Sequence, residues 1–197
     1  MTPHSPRIAV FVSGSGSNAE NIVQYFRSTQ TAEVALLVCN NPTAYALQRA
    51  TKLDLPALLV GKKNLYDENM MMEILQARQI DWIVLAGFLW LLPTYLLQAF
   101  PQRVINLHPA LLPKYGGKGM YGMHVHEAVR AHRESETGIT IHYANEHYDE
   151  GQIILQASCP LNETDTADLI AQKVHLLEYA HFPQAIEEEI LKANHIK

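Results

Sequence analysis

Asn106, His108 and Asp149 supply an amide, an imidazole and a carboxylate, the groups needed to pass an acyl group from a carbonyl donor to an amine. Such a reaction wants a hydrogen-bond donor aimed at the developing oxyanion, a group to manage the amine's protons, and a partner that fixes the protonation of that group. The Asn106 side chain can donate its NH2, His108 can donate or accept near neutral pH, and Asp149 can hold the imidazole and favour its charged form. No nucleophilic Ser or Cys is required. Taken singly, each residue has a structural use: an Asn can tie down a loop, a His can pack, and an Asp ahead of Glu150-Gly151 suits a turn. Only together do they make a site.

Positioning them is the task of a strand. Arg103-Val104-Ile105-Asn106-Leu107-His108 reads as extended, so Asn106 and His108 leave one face of the pleat and Ile105 and Leu107 the other. Pro109 cannot donate to a continuing ladder and biases His108 toward an extended backbone. The pair therefore sits at the carboxyl end of its strand, where open α/β sheets bind ligands. Upstream, strands over 7–13, 34–39, 56–60 and 81–86 alternate with helices over 19–28 and 44–53, a third starting near Leu65 with Met71, Ile74, Leu75 and Arg78 at helical spacing, and a short one over 94–100. That order predicts an α/β fold, a mostly parallel twisted sheet with helices on both faces. Downstream, 111–123 holds Pro113 and four glycines and reads as a long loop of the kind that carries function. A helix over 124–133 follows, and 138–143 with 152–156 make a C-terminal antiparallel hairpin around the polar connection bearing Asp149. Asp165 precedes a last helix with Ile170, Val174, Leu177, Ile186 and Ile190 on one stripe, which Pro183 is expected to kink or restart. With no repeat or linker, 1–197 reads as a single domain.

Ser13-Gly14-Ser15-Gly16-Ser17-Asn18 links the first strand to the first helix, where free backbone N–H groups and the helix dipole favour an anion. Gly14-x-Gly16-x-x-Ala19 also meets the loose dinucleotide fingerprint. However, the second strand ends in Cys39-Asn40-Asn41-Pro42, without the Asp or Glu that a dinucleotide site uses for its ribose hydroxyls. A single phosphomonoester fits better; the alternative is a ligand-free turn capped by Ser17 or Asn18.

Composition narrows the field. The chain has 197 residues, 48% of them hydrophobic and 18% charged, which suits one substantial core. A net charge of −5 without a basic run gives no footprint for nucleic acid or an anionic membrane. The apolar run from Trp82 to Leu92 is far short of the roughly 20 residues of a membrane span. Met1 to Pro6 shows no leader-like apolar stretch. Cys39 and Cys159, the only cysteines, read as core residues of a reducing, cytoplasmic protein.

Gly14-Ser15-Gly16-Ser17-Asn18, Leu85-Ala86-Gly87-Phe88, the run from Asn106 to Tyr115 and Asp149-Glu150-Gly151-Gln152-Ile153-Ile154 together resemble the folate-dependent formyltransferases, and among them the phosphoribosylglycinamide formyltransferases of purine biosynthesis. The resemblance runs in order from about Arg7 to Pro183. It implies a Rossmann-like formyltransferase fold, with formyl transfer from 10-formyltetrahydrofolate to the primary amine of glycinamide ribonucleotide. Asn106 and His108 would stabilise the tetrahedral oxyanion, His108 would donate the proton, and Asp149 would raise the basicity of His108 and help relay the amine's proton. Substrate phosphate is implied on Gly16, Ser17 and Asn18, and a substrate-contacting carboxylate at Glu178. The folate side is implied at Lys63, Leu89, Trp90, Leu91, Leu92 and Asn106. Small molecules would be the partners of a monomer or weak homodimer, with no metal.

Three positions depart from the pattern. Trp90 stands where arginine is expected, at the edge of the folate pocket. His175 replaces a Lys or Gln beside the phosphate, which makes anion binding there pH-dependent. Gly116 to Gly122 is longer than the family's Pro-Gly turn and would act as a flap. Other acceptors (methionyl-tRNA, a nucleotide sugar or water) are disfavoured, because a tRNA enzyme needs an added nucleic-acid domain and a hydrolase a regulatory one, for which this length leaves no room. A metal site from His124, His126, His142 and His147 is disfavoured because His124 and His126 are two apart at a helix start and no Cys joins them. A non-catalytic phosphoribosyl-binding module is the remaining alternative.

Overall fold

The computed structural model describes residues 5–195; Met1–His4, part of the stretch read as leaderless, lie outside them. Strands β1 (Arg7–Val12), β2 (Glu33–Cys39), β3 (Ala57–Leu59), β4 (Trp82–Leu85) and β5 (Val104–His108) are followed by β6 (Glu136–Tyr143) and β7 (Ile153–Pro160). They form one seven-stranded sheet in the order β3-β2-β1-β4-β5-β6-β7. The first five pair in parallel, and β6 and β7 join antiparallel. Helices α1 (Ser17–Thr29), α2 (Tyr45–Lys52), α6 (Met123–Ala131) and α7 (Ala167–His195) contribute to the apolar cluster on one face. Helices α3 (Lys62–Leu65), α4 (Glu68–Ala77) and α5 (Thr94–Ala99) contribute to that on the other.

Burial on both faces explains the continuous apolar runs. In β1, Ile8, Val10 and Val12 face the first helix layer while Ala9 and Phe11 face the second. All five are fully buried. The expected pleat of β5 holds as well: Ile105 and Leu107 pack in the first cluster, leaving Asn106 and His108 on the opposite face.

The differences from expectation have local causes. The third helix is two, α3 and α4, because Asp67 caps the second by accepting the Met70 N–H at 3.1 Å. Pro183 neither ends nor restarts α7, which runs through it. The lost backbone bond is outweighed by burial of its neighbours Phe182, Ala185 and Ile186 against the sheet. Strands β6 and β7 are longer than the hairpin expected, and Cys159 is partly exposed rather than core, because β7 is the sheet's outermost strand.

Candidate active site

Strand β5 ends at His108, just before Pro109, so the Asn106 and His108 side chains reach the rim of the sheet at its carboxyl end. Cross-strand pairing brings a further imidazole beside them, since Asn106 lies opposite His142 and His108 opposite Thr140. Asp149 arrives from the β6–β7 connection in a left-handed backbone conformation (φ 58°) that Asp tolerates better than most residues. Its Oδ2 lies 3.3 Å from His108 Nδ1 and accepts the Gly117 N–H at 2.9 Å. The other oxygen, Oδ1, accepts from Asn106 Nδ2 at 3.4 Å and sits 3.7 Å from His142 Nε2.

Electrostatics follow from these contacts. Burial alone would raise the Asp149 carboxyl, but the His108 and His142 rings facing it and the bond from the Gly117 N–H override it and hold the group well below the usual carboxylate range. Asp149 is therefore an anion at neutral pH. The other ring nitrogen of His108, Nε2, lies 2.7 Å from the Tyr115 carbonyl. Both nitrogens of a nearly buried imidazole thus face acceptors, and the imidazolium satisfies both. His142 places Nδ1 2.9 Å from the Tyr143 carbonyl, which makes that nitrogen the donor and leaves Nε2 to accept the Asn106 NH2 at 3.0 Å. Asn106 is thereby held with its amide hydrogens turned toward Asp149 and His142.

The glycine turn stands across the same cavity, of about 680 Å³. Gly16 is the residue ahead of α1, with φ 74°, and no side chain caps the helix. The N–H groups of its first turn, on Ser17, Asn18 and Ala19, have no intrahelical acceptor. Asn18 Nδ2 donates to Glu178 Oε2 at 2.9 Å, and the same oxygen is 2.7 Å from His175 Nδ1. That carboxylate raises the His175 pKa against the opposing effect of burial. His126, on the cavity wall beneath, is pushed down to about 4, chiefly by burial. Among the described residues, Asn18 Oδ1 and His126 Nδ1 are buried polar atoms without a partner. Both residues line the cavity.

Residues 6–186 match the model of the formyl transferase family. The chain belongs to that family. Against the Arabidopsis thaliana protein named phosphoribosylglycinamide formyltransferase, chloroplastic, this formyl transferase is 37% identical over 96% of its own length and 68% of the relative's. Against the Bacillus subtilis phosphoribosylglycinamide formyltransferase it is 35% identical, over 92% and 93% of the two chains. The crystal structure of glycinamide ribonucleotide transformylase 1 from Geobacillus kaustophilus superposes with a TM-score of 0.85 at 35% identity, covering 95% of this chain and all of that one.

The formyl transferase cavity gathers most of the residues singled out in the sequence: Gly16, Ser17, Asn18 and Glu178, the segment of Leu89, Trp90, Leu91 and Leu92, and Asn106, His108 and Asp149. The Leu89 N–H donates to Ser13 Oγ at 2.9 Å, tying the apolar segment to the glycine turn. Residues 117–122 line the cavity too. Lys63 does not line it; on α3 its neighbour Lys62 brings Nζ 5.8 Å from the Trp90 ring centroid instead. His142 and His126, which the sequence offers only as metal ligands, are part of the site. Among the described residues no group of three or more His, Cys, Asp or Glu could hold a metal ion. Nor is any helix among them long and apolar enough to cross a membrane.

Proposed function

We propose that this chain transfers the formyl group of 10-formyltetrahydrofolate to the amine of 5'-phosphoribosylglycinamide, the step of purine biosynthesis for which its relatives are named. The observation that carries the proposal is the meeting of Asn106, His108 and Asp149 in one cavity with an open glycine-rich helix start. An amine that attacks the formyl carbon generates an oxyanion, to which the Asn106 NH2 donates together with the His108 Nε2–H, exchanged from the Tyr115 carbonyl. The contact between Asn106 and Asp149 is long at 3.4 Å, and an oxyanion placed there is the better acceptor. The carboxylate of Asp149 offsets the imidazolium charge and helps take the proton from the amine nitrogen once it has added, and His108 protonates the tetrahydrofolate nitrogen that leaves as the adduct collapses.

The phosphate belongs on the N–H groups of Ser17 and Asn18, with Gly16 permitting close approach and His175 adding charge when protonated. The unpartnered Asn18 Oδ1 and His126 Nδ1 await polar atoms of the ligand, in keeping with how rarely buried polar groups go unpaired. The apolar wall of Leu89, Trp90, Leu91 and Leu92 suits a flat pterin. We place the protein in the cytoplasm as a monomer or weak homodimer; its two cysteines are free. Incubation with 10-formyltetrahydrofolate and glycinamide ribonucleotide should yield tetrahydrofolate and formylglycinamide ribonucleotide in equal amounts. Binding of the ribonucleotide without turnover would leave only the non-catalytic module.

A further inference from the structure

Four consecutive carbonyls of the glycine turn are each bonded to a donor away from the cavity. Asn41 Nδ2 donates to the Ser13 carbonyl at 3.3 Å, the Ala46 N–H to that of Gly14 at 3.2 Å, and Arg49 Nε to that of Ser15 at 3.0 Å. The fourth, of Gly16, accepts the Glu20 N–H at 2.9 Å within α1. Three of the four donors come from α2 and the segment leading into it. A peptide's carbonyl and the N–H that follows it point in opposite directions, so fixing these oxygens outward fixes the N–H groups of Gly14 through Ser17 inward.

Packing reinforces the arrangement. A Cβ on Gly16 would lie 2.6 Å from Ala46 Cβ, so turn and helix are in direct backbone contact. Arg49 does more than its neighbours: its guanidinium also pairs with Glu20 in the first turn of α1 and lies 5.0 Å from the Tyr45 ring centroid. One rigid fork thus spans the turn and the helix whose start forms the cradle. Arg49 does not line the cavity.

We infer that Arg49 is a positioning residue for the phosphate: it holds the Ser15 carbonyl and the first turn of α1 so that the N–H groups converge on the anion, without touching it. This deepens the function proposed above and rests on it. A Lys at this position keeps the charge but cannot bond the carbonyl and the carboxylate with a planar fork.

The test compares wild type with Arg49→Lys, Arg49→Ala and Asn41→Ala, the last removing a different donor to the same turn. KM for glycinamide ribonucleotide should rise at least tenfold in Arg49→Ala and severalfold in Arg49→Lys and Asn41→Ala, while kcat and the KM for 10-formyltetrahydrofolate stay within about twofold. Inorganic phosphate, titrated against the backbone amide resonances of Gly16 and Ser17, should bind correspondingly more weakly. That titration needs no formyl transfer, so it separates failure of this inference from failure of the assigned reaction. Equal rises in both KM values, or an unchanged phosphate affinity in Arg49→Ala, would overturn the inference.

Discussion

Replacing Asp149 by Asn tests the centre of the proposed chemistry, because it keeps volume and an acceptor while removing the charge. At the observed 3.3 Å from His108 Nδ1, an imidazolium and a carboxylate attract by about 5 kcal/mol at an effective dielectric constant of about 20. The pair is nearly buried, so little is screened away. The amide oxygen that replaces the carboxylate retains part of the hydrogen bond from the ring. If about half of the attraction is specific to the charged transition state, some 2.5 kcal/mol is lost, a fall in kcat of about 10². The assay is formyl transfer at saturating concentrations of both substrates, with thermal unfolding to confirm the fold. His108→Ala should cost at least as much, and the double variant little more than the worse single one, because the two residues act as a unit. A loss under about threefold in Asp149→Asn would refute the assignment of the carboxylate to His108.

His142→Ala removes the acceptor that orients the Asn106 amide, and kcat should fall about tenfold with KM values much less affected, as expected for loss of one hydrogen bond within the site. The raised pKa of His175 means it is cationic below that value and loses its charge as pH climbs through it, so KM for the phosphorylated amine should increase with pH there. His175→Lys should move that rise to higher pH, as a KM–pH series will show. Gly16→Ala would drive a Cβ to 2.6 Å from Ala46 Cβ in a left-handed conformation. We expect a stability loss of about 1–3 kcal/mol by denaturant titration, with weaker acceptor binding.

The parallel half of the sheet was legible because its strands are buried on both faces and its turns are marked by Gly and Pro. The Asn106 and His108 pair could be placed on one face by the two-residue period alone. His142 could not be assigned in the same way, because its role exists only through the pairing of β5 with β6, and no local spacing states which residue of a distant strand will stand opposite Asn106. The alternation of Ile139 and Ile141 with Thr140 and His142 nevertheless shows that His142 faces away from the aliphatic layer. Arg49 was hidden for a similar reason: a cation on a short helix looks like a solvated side chain until the glycine turn is folded against it. The split of the third helix was the opposite case, as Asp67 is a cap signal that local sequence does contain.

The antiparallel register between β5 and β6 has a consequence for how this enzyme could fail. A slide of β6 by a single residue would exchange its inward and outward sets, burying an imidazole among aliphatic side chains and sending an isoleucine toward Asn106. The alignment that protects the oily interior is therefore the same one that assembles the proposed catalytic groups. Quality control for activity comes built into the energetics of folding, and a molecule that closes its interior correctly has already aligned its chemistry.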